Sequence, residues 1–308
     1  MKTLRHILYG ILAGVLLSSG LVAQHPHFYH YSTQDGLPSN QVYDIFQDRL
    51  GYIWLCSDYG VSRFDGSHFE NFGTADGLGD HEIFQGTEDR SGRIWWSSLN
   101  GRPSFWQDGQ FYSAPQIPEF EAFKASGMIG NYFDDGERIW LCSSNGEIFF
   151  WDEVQQEAKA FYHNSKWIGL GFHAVWRSPD GQINAVSERS FYQFDSTDQS
   201  IQPIASWDSQ SHLVKTFHAG DSLWATASDR LLLYHKAQKR ILRTYQFDFI
   251  NSEIIRVYQH PRLGLWLGTR QGVFHLPPGK DIERAEDFHH YLPQHAVSGI
   301  WIDQEENW

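Results

Sequence analysis

Asp48-Arg49-Leu50-Gly51-Tyr52-Ile53-Trp54-Leu55-Cys56-Ser57 returns again and again down the chain. Its core, Tyr52-Ile53-Trp54, lines up with Arg93-Ile94-Trp95, Arg138-Ile139-Trp140, Ser222-Leu223-Trp224, Gly264-Leu265-Trp266 and Glu306-Asn307-Trp308. One copy, Gln182-Ile183-Asn184, has lost the tryptophan. The marked positions are 54, 95, 140, 184, 224, 266 and 308, with steps of 41, 45, 44, 40, 42 and 42. Chance does not space so rare a residue this way, and a regular period of 40–45 is the mark of a repeat architecture.

Other features recur in phase. An Asp- or Gly-bearing turn precedes each tryptophan, as in Asp48-Arg-Leu-Gly51, Asp89-Arg-Ser-Gly92 and Asp134-Asp-Gly136. Six residues past it stands Gly60, Gly101, Gly146 or Gly272, with Ser190 and Arg230 as exceptions. Four short strands fit the first copy: Val42–Gln47, Tyr52–Ser57, Val61–Asp65 and His68–Phe72. They alternate partly in polarity and are separated by turns that tolerate positive φ. A four-stranded antiparallel unit of this length is a propeller blade. The expected fold is all-β: a seven-bladed β-propeller whose seventh blade is cut at the C-terminus. The blades lie near 38–72, 79–111, 124–152, 170–195, 213–235 and 253–276, with a partial blade at 295–308. Trp54, Trp95, Trp140, Trp224, Trp266 and Trp308 are read as structural residues packed between blades. His27–Leu37 matches His68–Leu78 at an offset of 41. Strand 28–31 is therefore expected to complete the last blade, removing an open sheet edge. The unfinished seventh copy points to the front part of a longer protein.

Composition narrows the rest. The 308 residues include 49 aromatics and are 41% hydrophobic, enough for a sizeable core. Asp and Glu number 37 against 24 Lys and Arg, a net charge of −13. That balance argues against nucleic acid and against an anionic membrane surface as partners. Lys2 and Arg5 precede the apolar run Ile7–Val22 and the small residues Ser18, Ser19, Gly20 and Ala23. Residues 1–23 thus read as a signal peptide, or an uncleaved anchor, and residues 24–308 as the exported propeller. Cys56 and Cys142 occupy equivalent places two blades apart, so they are expected to be buried thiols and not a disulfide. No metal ligand set, cofactor motif or catalytic motif stands out. His25, His27 and His30 lie near the terminus, and the neighbours His289 and His290 would point to opposite faces of a strand.

Gly36 to Gly66 as a whole resembles the two-component regulator propeller repeat. The likeness is strong in the first two copies, fair in the third and sixth, and weak in the fourth and fifth, and it spans about Phe28 to Trp308. It implies the periplasmic sensor region of a Bacteroidetes-type hybrid or sensor histidine kinase. Such proteins carry one or two seven-bladed propellers, a small β-sandwich, a membrane helix and a cytoplasmic kinase. The implied partners are a periplasmic ligand and a downstream membrane-anchored kinase region, with a homodimer left open.

Ligand recognition is expected on the face shared by the second-to-third-strand turns and the interblade loops, because these tips vary while strand positions repeat. The candidate binding residues are Asn40, Gln41, Asp58, Tyr59, Asn100, Asn145, Arg189, Asp229 and Arg270. Tyr59 beside Asp58 has the form of a sugar contact: a ring face covers C–H groups while polar neighbours hold hydroxyls. An acidic polysaccharide would need more cations than Arg102, Arg189, Arg230 and Arg270 supply. The leading expectation is an extracytoplasmic sensing propeller that recognises an oligosaccharide or a partner domain. A secreted glycosidase or lyase is the alternative, with Asp44 and Glu82 as the nearest candidate carboxylates. A protein-interaction scaffold is the third reading.

Overall fold

Each repeat of the sequence folds on itself before it meets its neighbours. The computed structural model describes residues 29–123, 127–162, 171–195, 200–207, 213–227 and 230–308. Blade 1 is β1 (Val42–Gln47), β2 (Ile53–Ser57), β3 (Gly60–Phe64) and β4 (Phe69–Phe72). Blade 2 is β5 (Ile83–Glu88), β6 (Ile94–Ser98), β7 (Ser104–Gln107) and β8 (Gln110–Tyr112). Blade 3 is β9 (Ile129–Asp134), β10 (Arg138–Ser143), β11 (Ile148–Asp152) and β12 (Glu157–Tyr162). Blade 4 is β13 (Phe172–Arg177), β14 (Ile183–Ser187), β15 (Ser190–Phe194) and β16 (Ile201–Ser206). Blade 5 is β17 (Leu213–Ala219), β18 (Ser222–Ala227), β19 (Arg230–His235) and β20 (Arg240–Tyr245). Blade 6 is β21 (Ile254–His260), β22 (Gly264–Thr269), β23 (Gly272–Leu276) and β24 (His289–Tyr291). Every sheet is antiparallel with its strands in chain order, and the helical elements among the described residues are short 3-10 turns. From blade 3 onward the fourth strand falls beyond the predicted blade limits.

The Asp-x-x-Gly turns explain why each hairpin forms. Asp48 Oδ1 accepts the amides of Leu50 and Tyr52, while Oδ2 accepts the Trp54 indole N–H at 2.7 Å. Asp89 does the same for Ser91, Arg93 and Trp95, and Asp135 holds the Trp140 indole at 2.8 Å. One carboxylate thus closes the turn and fixes the ring that will enter the core. At the other end of the hairpin Gly60 has φ +97, and a Cβ there would lie 2.1 Å from the Phe72 carbonyl oxygen. Only glycine fits where the fourth strand approaches that closely.

Trp54, Trp140 and Trp224 pack between blades. Trp54 lies with its ring centroid 5.3 Å from Trp96 and 5.5 Å from Trp106 of blade 2. Trp140 joins Phe172, Val175 and Phe194 of blade 4, and Trp224 joins Val257 and Leu265 of blade 6. Blade 4 keeps the indole by moving it. Trp176 on β13 is paired directly opposite Asn184 and packs against Tyr234 of blade 5 at 5.7 Å. Asn184 in turn donates to Ser178 Oγ at 2.8 Å, so the Trp–Asp link is replaced by an Asn–Ser link in the same place. Charges add links around the rim, among them Arg49 to Glu88, Arg177 to Asp135 and Lys239 to Asp180. Cys56 and Cys142 are free, buried thiols.

The described residues form six four-stranded blades, not seven. Residues 297–302 run as an extended segment between blade 6 and blade 1 without becoming a strand. Ser298 Oγ donates to the Val42 carbonyl at 2.6 Å, and Ile300 and Ile302 are buried against Trp266 and Val273. Asp303 then makes the same turn as Asp48, its Oδ1 accepting the amides of Glu305 and Asn307. A ladder needs a partner strand, and among the described residues none pairs with 297–302. Trp308 stands five residues past Asp303, whereas Trp54 and Trp95 stand six past their aspartates. It therefore takes the place of Ile53 and Ile94; it is 39% exposed and its ring centroid is 4.9 Å from that of Trp266. Tyr29–Ser32, the described residues at the expected completing strand 28–31, hold no strand. Phe28 and the expected signal segment lie outside the described residues.

Candidate functional site

A β-bulge opens the innermost strand of every blade at the same register. Pairing skips Tyr43 between Val42 and Asp44, and likewise Phe84, Gly130, His173, residue 214 and Ile255. A bulge re-aims the extra residue and bends the strand. Around these bulges lies a cavity of about 310 Å³ on the propeller axis, walled by the bulge residues Tyr43, Phe84, Gly130, His173 and Ile255 and, from blade 5, by Lys215, the residue after its bulge. These six residues all differ, while the residue before each bulge is apolar in every copy: Val42, Ile83, Ile129, Phe172, Leu213 and Ile254. Each bulge stands ten or eleven residues before its repeat tryptophan, or before Asn184 in blade 4.

The mouth is polar. Tyr43 donates its hydroxyl hydrogen to Glu82 Oε1 at 3.0 Å and accepts from Gln41 Nε2 at 3.1 Å. Burial, together with Glu82 and the nearby Asp58, pushes the Tyr43 hydroxyl up to about 12. The Tyr43 and Phe84 rings form a tilted pair at 4.9 Å. Burial lowers the basicity of His173, and Glu188 opposes that shift. Deeper in, Asp44 and Arg256 meet at 2.8 Å with Asp44 1% and Arg256 7% exposed. The contact is one of charges without hydrogen-bond alignment, since Asp44 Oδ1 and Arg256 Nε have no hydrogen-bond partner. Burial pushes the Asp44 carboxyl up, and Arg256 opposes it. Lys215 stands beside the pair, its ammonium destabilised first by burial and then by Arg256.

Of the predicted residues, the structure brings Gln41 and Asp58 to this mouth, on the same edge as Tyr43. Tyr59, at the tip of the β2–β3 turn, is 70% exposed. Asn40 is spent on the fold, accepting the Thr33 amide at 2.9 Å. Asn100 shapes its own turn, accepting from Arg102 and donating to the Gly79 carbonyl. Arg270 pairs with Glu253 at 3.0 Å, and Arg189 and Asn145 are exposed turn residues. Asp229 lies outside the described residues. Sequence reasoning missed Tyr43, Phe84, His173, Lys215 and Arg256. The signal available was the count back from each tryptophan to a slot whose chemistry changes from copy to copy.

Residues 36–59 match the family described as two component regulator propeller, so the chain carries a repeat of that family. No curated protein matches. Among solved structures, the extracellular domain of a protein described as a hybrid two component system from B. thetaiotaomicron is similar, with a TM-score of 0.64 and 15% identity over 83% of this chain and 38% of that one. The extracellular domain of a protein described as a one component system from the same organism gives 0.61 and 16%, over 88% of this chain and 37% of that one. Virginiamycin B lyase from Staphylococcus aureus gives 0.56 and 15%, over 76% of this chain and 79% of that one. This chain spans under two-fifths of the length of the two extracellular domains.

Proposed function

We propose that this chain is the extracytoplasmic ligand-sensing propeller of a two-component signalling protein, exported to the periplasm and joined in its parent to a membrane-anchored kinase region. The observation that carries the reading is the ring of bulges, around which residues from all six blades, five of them with side chains, gather at one axial cavity beneath polar, variable turns. A rigid scaffold that presents varied groups at a concave site is suited to recognition. The family repeat at 36–59 and the likeness to extracellular domains of signalling proteins support the same role. The ligand is a carbohydrate that lays a sugar face on Tyr59 and reaches the mouth formed by Gln41, Tyr43 and Asp58. An enzyme reading gains nothing from Asp44 and Glu82: the first is buried on Arg256 and the second holds Tyr43. A glycan array probed with the chain and with Tyr59→Ala tests the proposal. Selective binding that falls about tenfold in the variant is expected; an array with no binding, or cleavage of a bound glycan, refutes it.

A further inference from the structure

The axial cavity has a charge count that its mouth does not reveal. Asp44 sits on the Arg256 guanidinium at 2.8 Å. The charged groups that act on Lys215 are Arg256 and Asp44, with the neutral Cys56 thiol beside them. Two cations therefore share one carboxylate. Among the described residues no hydrogen bond is made by Lys215 Nζ, and the side chain is partly buried and lines the cavity. The rim carboxylates act elsewhere: Glu82 and Asp58 on Tyr43, and Glu188 on His173. An uncompensated charge taken out of water is costly unless a counter-charge joins it.

Resting on the sensing reading above, we propose that the axial cavity seats the carboxylate of a small acidic ligand against Lys215, with the Tyr43–Phe84 pair covering its apolar side. Gly130 adds no side chain to the cavity, and a Cβ there would lie 2.9 Å from the Phe172 carbonyl oxygen. The ligand is either a free sugar acid or the acidic end unit of a longer glycan; a carboxylate on a compact ring is common to both. The cavity also supplies the cation that the turn residues lack for an acidic ligand.

The test is calorimetric titration of the full chain with D-glucuronate, D-glucose and a trisaccharide ending in glucuronate, on wild type, Lys215→Met and Lys215→Arg. Wild type is expected to bind glucuronate about tenfold or more tighter than glucose, K215M to lose that margin, and K215R to keep most of it. Stronger binding of the trisaccharide that also falls in Tyr59→Ala identifies a glycan end as the source; equal binding identifies the free acid. Without ligand, K215M should melt at or above the wild-type temperature, because it removes an unpaired charge. A K215M that unfolds or melts lower overturns the proposal, as does glucuronate binding equal to glucose or unchanged in K215M. If neutral glycans bind through Tyr59 and no carboxylate probe gains, this inference fails and the sensing role stands; if no glycan binds at all, both fail.

Discussion

Replacing Asp48 with alanine removes one side chain and orphans three donors. Two are the turn amides of Leu50 and Tyr52, at 2.9 and 3.0 Å. The third is the indole N–H of Trp54, whose side chain has no exposed surface. Water can reach the turn amides, so each should cost roughly 0.5 kcal/mol, while the buried indole bears the full cost of an unmet donor, about 2 kcal/mol. Asp48→Ala should therefore destabilise by about 3 kcal/mol. Trp54→Phe deletes the donor, so the same Asp48→Ala change in that background should cost only about 1 kcal/mol, a coupling of about 2 kcal/mol. Urea unfolding followed by far-ultraviolet circular dichroism on the four proteins reads this directly, free of the change in tryptophan emission. A coupling below about 0.5 kcal/mol would mean that the carboxylate and the indole act independently, and the account of how each hairpin is fixed would fall.

Ser178→Ala, which leaves Asn184 Nδ2 with only the Gln182 carbonyl, should cost about 1 kcal/mol in the same assay. Gly86→Ala should cost about 1–3 kcal/mol, since its Cβ would meet Phe46 Cε1 at 2.3 Å and Trp96 Cζ3 at 2.8 Å; trimming Phe46 to leucine in the same protein should recover part of the loss. Trp176→Ala should cost about 3–5 kcal/mol, as much as Trp54→Ala, although residue 176 is off the repeat pattern. Lys239 holds the Asp180 carboxyl down at about 2 against an ordinary 3.8. A lowered carboxyl stabilises fully above its unfolded value and loses that contribution as pH falls through the folded one. Asp180→Asn should therefore lower stability at pH 6 by less than about 1 kcal/mol, because the carboxylate is half exposed, with the difference gone near pH 2 in thermal melts.

The blade was legible in the sequence because what defines it is local. The first blade's predicted strands fall within a residue of β1–β4, since the Asp-x-x-Gly turn, the tryptophan and the following glycine act within about a dozen residues of one another. The buried state of both cysteines followed from their equivalent slots. Loop candidates fared less evenly: Asn40 and Asn100 have the polarity of ligand contacts, yet their side chains close their own turns, and residue type does not separate those uses.

Tertiary structure decided whatever depends on one blade meeting another. The pairing of Arg256 with Asp44 joins the sixth blade to the first across 212 positions of sequence, so no local pattern announces it. The same is true of Trp176, which compensates for Asn184 only because pairing sets them face to face. The number of blades, too, was beyond counting tryptophans: residues 297–302 fill the gap between blades 6 and 1, but a strand exists only where a second backbone completes its hydrogen bonds. Periodic residues specify a unit, because the forces that shape it reach a few neighbours along the chain. The axis, its cavity and its charge arise where six units converge, and that convergence is a property of distances in space.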